Sequence, residues 1–244
     1  MKIGIISDIH SNFEALTASW HELTRLSPDR IICLGDVIGY GADPNPCMAM
    51  LLAQSIAMVM GNHDYAMLYP EITHFFSWPA QQSYRYHRET LNPDYIPLIA
   101  SWNITLEFPE CCFAHACLSA PLSWTYLKHR MELEDEFRQL PPNHVLFIGH
   151  THCPAVISRD PEGEIRIESP RSLILEKEHQ YIINVGSIGQ SRDGNPDSCF
   201  VIYDTEWRDL KFYRVAYPIR EAAMKIYSQR LLPDSLGERL FHGI

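Results

Sequence analysis

Aspartate, asparagine and histidine side chains recur directly after short apolar runs of this sequence. The first pair lies in IISDIHSN, where a single apolar residue separates the acid from the histidine. Residues of the same types follow in LGD, MGNHD, FAHA and IGHTH. The complete set is Asp8, His10, Asp36, Asn62, His115, His150 and His152. Oxygen and imidazole donors without a thiolate suit divalent ions such as Mn, Fe or Zn, so the set predicts a metal site.

Seven donors are too many for a single ion. If Asp36 bridges, two ions would lie about 3.5–4 Å apart, the spacing found in two-metal phosphatases and nucleases. Glycines at positions 35, 61 and 149 each precede one of the candidate donors. A glycine there allows a sharp turn out of a strand and a close approach of backbone to the metal. The pattern therefore favours a two-metal centre.

The apolar runs predict strands that bring these side chains to one edge of a sheet. In the first 60 residues, KIGIIS, RIICLG and IAMVMG alternate with the helix-like stretches NFEALTASWHELTRL and PNPCMAMLLAQS. Continuous apolar runs are typical of parallel strands covered on both faces, which predicts a βαβαβ opening. Residues i and i+2 of a strand share a face, so Asp8 is expected beside His10, and His150 beside His152. The carboxyl ends of such strands are where open α/β sheets bind ligands.

The rest of the chain predicts an insertion, further strands and a helical tail. Residues 66–100 are rich in aromatic residues and contain four prolines, which favours two or three short helices at one edge of the sheet and a wall of the site. Strand-like runs return from residue 103, and turns such as DPEG and DGNPD after residue 144 favour antiparallel pairing. We predict one domain over residues 1–244, with the helical insertion at about 66–100 and the tail from about 218.

Composition limits the classes of partner. Hydrophobic residues make up 46% and charged residues 20% of the chain, as in ordinary globular proteins. The net charge of −10 and the lack of a basic block disfavour nucleic acid. An acidic chain suits an anionic substrate only if bound cations reverse the local field. The N-terminal MKIGIISD is too short and too soon acidic for a signal peptide, and no apolar run has the length of a membrane span, so we expect a cytoplasmic protein.

The segments SDIH, GD, GNHD, the histidine of AHA, and GHTH, in this order, resemble the five sequence blocks of the calcineurin-like metallophosphoesterase superfamily. The blocks span Asp8 to His152. GDVIGYGADPNPC at 35–47 and NVGSIGQSRDGNP at 184–196 further resemble its small prokaryotic phosphodiesterase branch. The resemblance implies an α/β fold, a four-layer α/β/β/α sandwich of two mixed sheets flanked by helices.

The resemblance also implies a role for each candidate residue. Manganese is the expected metal, with iron, zinc or nickel as alternatives. A hydroxide that bridges the two ions would attack the phosphorus, and His63 would supply a proton or a positive neighbour to the leaving oxygen. One ion would be held by Asp8, His10, Asp36 and His152. The other would be held by Asp36, Asn62, His115 and His150.

Three further residues are candidates for supporting roles. The chain reads GDVIGYG where serine/threonine phosphatases carry GDxVDRG, so it lacks their phosphate-binding arginine and the acid that orients the catalytic histidine. Asp64, next to His63, is a candidate replacement for that acid, with an ordinary surface acid as the alternative. Arg192 is a candidate phosphate contact because guanidinium matches phosphate oxygens bidentately. Asn12 either contacts phosphate or caps the first helix.

These observations predict a two-metal phosphoesterase that hydrolyses a phosphodiester or phosphomonoester of a small molecule. A phosphodiester is the first choice because of the branch that the chain resembles. Dinucleoside polyphosphate hydrolase and phosphoprotein phosphatase are the alternative enzymes, and an interaction scaffold on the same fold is the alternative outside enzymes. A nuclease is less expected because the chain has no basic groove. No membrane partner is expected, and a homo-oligomer is left open.

Overall fold

The computed structural model describes residues 1–54 and 56–244, which form two six-stranded sheets and eight α-helices. The strands are β1 (Lys2–Ile6), β2 (Arg30–Cys33), β3 (Ala57–Met58), β4 (Thr105–Phe108), β5 (Cys111–Ala114), β6 (Val145–Ile148), β7 (Ala155–Arg159), β8 (Ile165–Glu168), β9 (Leu173–Ile174), β10 (Gln180–Asn184), β11 (Ser198–Asp204) and β12 (Asp209–Val215). The α-helices are α1 (Phe13–Arg25), α2 (Pro44–Leu52), α3 (Asn62–Ala66), α4 (Trp78–Thr90), α5 (Ile96–Ala100), α6 (Arg130–Gln139), α7 (Ile219–Tyr227) and α8 (Asp234–Glu238). None of these helices combines the length and the apolarity needed to cross a bilayer.

The first sheet contains the predicted βαβαβ opening. Its strand order is β3-β2-β1-β11-β12-β9, and β1, β2 and β3 pair in parallel while the remaining neighbours are antiparallel. The third strand is shorter than the IAMVMG run. Beyond Met58, the Met60 N–H donates to the carbonyl of Asn103 at 2.8 Å, so the chain leaves the β2 ladder early.

The second sheet corrects the prediction of antiparallel pairing after residue 144. Its order is β4-β5-β6-β10-β7-β8, and β6 pairs in parallel with both β5 and β10. The antiparallel expectation is correct for β7 with β8 and for β10 with β7. The reason is that a turn signal constrains only the strands that it joins: DPEG joins β7 to β8, whereas β6 and β10 are not consecutive in the chain.

Three apolar clusters separate four layers. Alternate residues of β5 illustrate the arrangement, because Cys111 and Phe113 face the core between the sheets while Cys112 and Ala114 face α6. The outer face of the first sheet packs against α1, α2 and residues of the 66–102 segment. The α/β sandwich of two mixed sheets flanked by helices is therefore confirmed.

The insertion and the tail are both helical, and they pack on each other beside Tyr40. Residues 66–100 contain α4, α5 and two 3₁₀ turns, and the tail is divided into α7, α8 and a last 3₁₀ turn, Arg239–Phe241. Lys225 of α7 lies 2.5 Å from the carboxylates of both Glu14 and Asp43, which fixes the tail to α1 and α2. The assignment of all these parts to one domain stays a prediction. One apolar cluster contains Tyr40 together with Ala80 and Tyr86 of α4 and with Ala222, Ile226 and Leu236 of the tail.

We expect Leu23→Ala to destabilise the fold by about 2–5 kcal/mol, the range for removing a buried leucine. Leu23 is fully buried, and its Cδ1 occupies the space beside Gly4 of β1, where a Cβ would lie only 2.6 Å away. Denaturant unfolding measures the change. His21→Ala, at an exposed position of the same helix, is the matched control and should change stability by less than about 0.5 kcal/mol. A Leu23→Ala cost below about 1 kcal/mol would contradict this packing.

Candidate metal centre

The seven candidate metal-binding residues follow the carboxyl ends of β1, β2, β5 and β6 or begin α3. Five of them, Asp8, His10, Asp36, His150 and His152, have φ angles between 50° and 64°. Non-glycine residues rarely adopt this left-handed region, which costs roughly 1–2 kcal/mol per residue. Such backbone strain clusters at functional sites. The turns after the strands therefore orient these side chains at a cost in local backbone energy.

This backbone conformation corrects the reasoning that paired the residues by strand alternation. β1 ends at Ile6 and β6 ends at Ile148, so none of the four paired residues lies in a strand. Asp8 and His10 do lie together, with His152. His150, in contrast, is grouped with Asp36 and His115. The left-handed turn after β6 thus sends its two histidines to different groups.

The donor atoms form overlapping groups of three, within each of which all atoms lie within 4.8 Å of one another. A third group links the other two and includes His63. The groups are Asp8, His10 and His152; Asp36, His115 and His150; and His10, Asp36 and His63. The first two groups match the two predicted sets of ligands, but each lacks one predicted member. The first group lacks Asp36, and the second lacks Asn62. Asn62 is buried beside His63 at the start of α3.

Each of the four candidate histidine ligands donates one ring N–H to a backbone carbonyl. The pairs are His10 Nδ1 with Ile38 (3.2 Å), His115 Nδ1 with Leu34 (2.9 Å), His152 Nδ1 with Gln190 (2.5 Å) and His150 Nε2 with Trp124 (2.9 Å). This bond fixes the tautomer and leaves the other ring nitrogen to bind a metal, as in many metal sites. The Nε2 atoms of His10 and His152 face each other at 3.0 Å. Two acceptors so close need a cation or a proton between them.

Three buried polar atoms of the set have no hydrogen-bond partner among the described residues: Asp8 Oδ1, Asn62 Oδ1 and His115 Nε2. A buried polar atom without a partner costs roughly 1–3 kcal/mol. All three belong to predicted ligands, and His152 Nε2 lies 3.2 Å from the same Asp8 oxygen. The donor set and its unpartnered atoms therefore fit divalent cations.

The carboxylates of the centre are held in their ionised form. Burial opposes ionisation of Asp8, but His152, His10 and His115 outweigh it and hold the pKa of Asp8 well below its usual value. Burial likewise opposes ionisation of Asp36, and the neighbouring histidines His115 and His63 lower the pKa of that carboxyl. Ionised carboxylates are the form that binds a metal ion.

The pKa values of His150 and His152 are shifted in the opposite direction to that of His115. Burial lowers the pKa of His152 to about 3, with Arg192 adding to the effect, and it lowers the pKa of His150 to about 4. These imidazoles are neutral, as ligands must be. Burial acts in the same direction on His115, but Asp36 and Asp8 outweigh it and raise its pKa to about 9. A cation bound there would take the place of that proton.

His63 lies in the wall of a cavity next to the centre. Its ring centroid is 4.6 Å from that of Tyr40 and 4.8 Å from that of Phe76, and its backbone N–H donates to Asp36 Oδ1 at 2.8 Å. Burial lowers the pKa of His63 well below its usual value. The predicted wall formed by the 66–100 segment is present, because Phe76 belongs to it.

Asp64 has no hydrogen bond to the ring of His63 among the described residues, which corrects the orienting contact expected from its position. Its carboxylate accepts instead from the backbone N–H groups of Asp36 (2.7 Å), Val37 (3.1 Å), Ile38 (3.3 Å) and Gly61 (3.1 Å). Burial and the Asp36 carboxylate raise the pKa of Asp64 to about 8, and these backbone donors act against the shift. Asp64 thus fixes the turn that presents Asp36.

Asn12 and Arg192 differ in their surroundings. Asn12 accepts from the Ala15 N–H at 3.1 Å, which is the predicted helix cap, and donates to the Gly189 carbonyl at 2.9 Å. Its contact with substrate stays a prediction that these bonds do not support. Arg192 lies over the Tyr40 ring, 5.4 Å from its centroid, in the wall of the same cavity as His63.

A family model described as "Calcineurin-like phosphoesterase superfamily domain" matches residues 1–208. The chain belongs to this superfamily. Membership supports a phosphoesterase hydrolase that binds divalent metal ions.

Relatives of this superfamily member extend over its whole length. The chain is 35% identical over 247 residues to an uncharacterized protein of Methanocaldococcus jannaschii, which covers 99% of this chain and 98% of the relative. A crystal structure of a metallophosphoesterase from Sphaerobacter thermophilus superposes with a TM-score of 0.85 at 28% identity, over 100% of both chains. A hypothetical protein from Pyrococcus horikoshii OT3 has a TM-score of 0.81 at 16% identity, over 100% of this chain and 98% of that one, and shows the fold alone.

Sequence reasoning missed the aromatic and tail residues around this candidate site. Tyr40, within GDVIGYG, packs against the rings of both His10 and His63, each 4.6 Å away. Trp124 and Tyr126 line the cavity from the loop after β5, and Arg239 lines it from the tail. The GYG segment was the only available signal, since the other residues lie far from the sequence blocks.

We expect Gly61→Ala to weaken Mn²⁺ binding by at least about tenfold, the effect typical of disturbing the groups that orient a ligand. A Cβ at this position would lie 2.1 Å from Asp36 Oδ1 and 2.4 Å from the Asp36 nitrogen, so the ligand has to move. Isothermal titration with MnCl₂ measures the affinity. Gly4→Ala is the control, because its Cβ meets the end of the Leu23 side chain, far from the centre. Equal Mn²⁺ affinity in the wild type and the Gly61→Ala variant would contradict this placement.

Proposed function

We propose that this chain hydrolyses phosphodiesters of small molecules with two divalent metal ions, manganese being the favoured pair. The observation that carries the proposal is the convergence of six buried candidate ligands, with three unpartnered ligand atoms among the described residues, one of them on Asn62. Hydrogen bonds to backbone carbonyls occupy one ring nitrogen of each of the four histidines and leave the other available to a metal ion. A structural polar cluster would instead have its atoms paired with one another.

The proposed ligand assignment follows the groups of donor atoms. Asp8, His10 and His152 would hold one ion, His115, His150 and Asn62 the other, and Asp36 would be shared. Bound divalent ions lower the pKa of water and neutralise charge on phosphoryl oxygens. In an acidic chain they also reverse a field that would otherwise repel the substrate.

His63 is the proposed catalytic residue. It faces the cavity beside the donor groups, and its ring can donate an N–H to the oxygen that leaves phosphorus. Tyr40 and Phe76 both pack against the ring and restrict its rotation. They also exclude water from the ring, which strengthens its interaction with developing negative charge.

Asp64 is proposed as a positioning residue rather than as the acid that orients His63. Three of its four backbone hydrogen bonds hold the turn from Asp36 to Ile38, and the fourth holds Gly61. Asp36 in turn accepts from the His63 backbone N–H. This chain of contacts would fix the distance between the shared ligand and the catalytic histidine.

The cavity next to the centre has a volume of about 750 Å³ and suits a small molecule. A phosphomonoester or a dinucleoside polyphosphate would also fit such a volume, so these alternatives are tested with the same variants. A phosphoprotein is less favoured because aromatic side chains from the insertion and from the loop after β5 line the cavity, which has the volume of a small-molecule site. An interaction scaffold would need no catalytic histidine and no free ligand atoms.

His63→Ala should lower kcat for bis-p-nitrophenyl phosphate by roughly 10²–10⁴-fold, the contribution of a positioned proton donor. The measurement compares Mn²⁺-dependent release of p-nitrophenolate by the wild type and the variant. His21→Ala, exposed on α1, is the matched control and should retain the wild-type rate. Absence of metal-dependent turnover by the wild type on this ester, on monoesters and on dinucleoside polyphosphates would favour the scaffold instead.

Metal analysis of the purified protein should find two Mn²⁺ per chain after loading and one in His152→Ala, because only one of the two groups contains this histidine. Chelation with EDTA should abolish hydrolysis and lower Tm, since an ion that binds only the folded state stabilises it. Full activity at one metal per chain would contradict the two-metal proposal.

A further inference from the structure

Two arginines lie together in the cavity wall on the side of Tyr40. Arg192 comes from the loop between β10 and β11, and Arg239 from the last 3₁₀ turn of the tail. Both guanidinium groups donate to the same amide oxygen, Gln190 Oε1. The distances are 2.8 Å and 3.3 Å from Arg192 and 3.4 Å from Arg239. A neutral amide thus holds two positive charges side by side.

The pair lacks the counter-charge that a structural arginine usually has. Within residues 1–54 and 56–244, neither guanidinium forms an ion pair with a carboxylate. Burial opposes the charge of Arg192, but Tyr40, Tyr126 and Asp8 outweigh it and raise the pKa of Arg192. Burial and the neighbouring Arg192 lower the pKa of Arg239. Two half-buried like charges are costly unless an anion joins them.

The tail is fixed in the position that brings Arg239 to Arg192. The Gly194 N–H, two residues beyond Arg192, donates to the Gly243 carbonyl at 2.9 Å. Gly243 has φ of 62°, and a Cβ there would lie 2.7 Å from the backbone of Asn195. The close approach therefore requires glycine. The two arginines meet through specific backbone packing and not through chance contact of long side chains.

The remaining rim of the cavity contains several exposed apolar side chains, two of them aromatic. Phe75 is 92% exposed although it is a large hydrophobic residue, and Leu122, Tyr126 and Ile244 are exposed beside it. Trp124 lines the wall between this rim and the metal-binding candidates. Exposed apolar groups around a polar site are typical of ligand-binding surfaces. Flat aromatic side chains suit the face of a nucleobase.

We propose that Arg192 and Arg239 bind a second phosphate of the substrate, with the aromatic rim against its base. The substrate class would be nucleotides that carry a phosphate group in addition to the one that is hydrolysed. This inference rests on the proposed function, since it places the scissile phosphate at the metal centre. Two convergent guanidinium groups match a phosphate dianion in charge and in donor geometry.

The position of Tyr40 connects the two phosphate sites. Its ring lies under Arg192, and the same ring is 4.6 Å from the rings of both His10 and His63. Tyr40 therefore contacts both Arg192 and the candidate site, which places the arginine pair beside the metal-binding candidates. In a chain of net charge −10, an uncompensated positive pair at this place also draws anions toward the cavity.

Isothermal titration of the Mn²⁺-loaded protein with AMP, ADP and adenosine 3′,5′-bisphosphate tests the proposal without requiring turnover. We expect at least one of the two ligands with an additional phosphate to bind tenfold or more tightly than AMP. Arg239→Gln and Arg192→Gln should each remove most of this preference, and Arg239→Lys should retain part of it. Arg220→Gln, exposed on α7, is the matched control and should keep the preference.

Binding of all three nucleotides within about twofold would overturn the inference, and so would a preference that survives Arg239→Gln in a protein of unchanged Tm. The comparison of the three ligands on the wild type tests the proposal even if a variant does not fold. Lack of hydrolysis of bis-p-nitrophenyl phosphate overturns the proposed function alone. A normal rate with that ester and no preference among the nucleotides overturns this inference alone.

Discussion

The left-handed turns at the strand ends are the constraint on which the candidate site depends. Asp8, His10, Asp36, His150 and His152 all adopt positive φ, and each would relax to an ordinary turn if nothing held it. The surrounding structure holds them through backbone hydrogen bonds between the turns: Asp8 donates to Gly35, His10 to Asp36, and Ser11 to Val37. The turn after β1 and the turn after β2 are thus one hydrogen-bonded unit. The sheet supplies rigid strands, and the unit converts their ends into a cluster of side chains with a single orientation.

Asp36 links this unit to the chemistry proposed for it. One carboxylate oxygen of Asp36 accepts from the backbone N–H of His63, and the backbone N–H of Asp36 donates to the carboxylate of Asp64. Glycine at position 61 is required because Asp36 fills the space where a side chain would begin. A displacement of any one of these groups moves the others. Buried carboxylates this close together favour the folded state only when positive charge is near, which explains why histidines surround them and why cations suit the centre.

The sequence was sufficient for the parts of the molecule that local patterns determine. Apolar runs predicted β1, β2 and the helices between them, and Asn12 does cap α1. The candidate ligands were found from residue types after those runs, yet the reason given for their pairing was incomplete. Alternation along a strand cannot apply beyond Ile6, and only the three-dimensional turn shows that His150 and His152 separate. The parallel pairing of β6 and the contacts of Asp64 depend in the same way on segments distant in sequence, which no local pattern records.

The cavity is likewise a feature that local sequence patterns do not predict. Beyond Tyr40, Arg192 and residues of the centre itself, its walls come from the insertion, from the loop after β5 and from the tail, three segments that share no motif. Residues of α4 and of the tail pack together around Tyr40. The centre, in contrast, is built from short blocks next to the sheet. A division follows from this arrangement: the rigid sheet ends would determine the reaction, while the helical additions would determine which phosphoester reaches it. Arg239 illustrates this division: it lies in the tail, and its guanidinium donates to the side chain of Gln190 rather than to a candidate ligand.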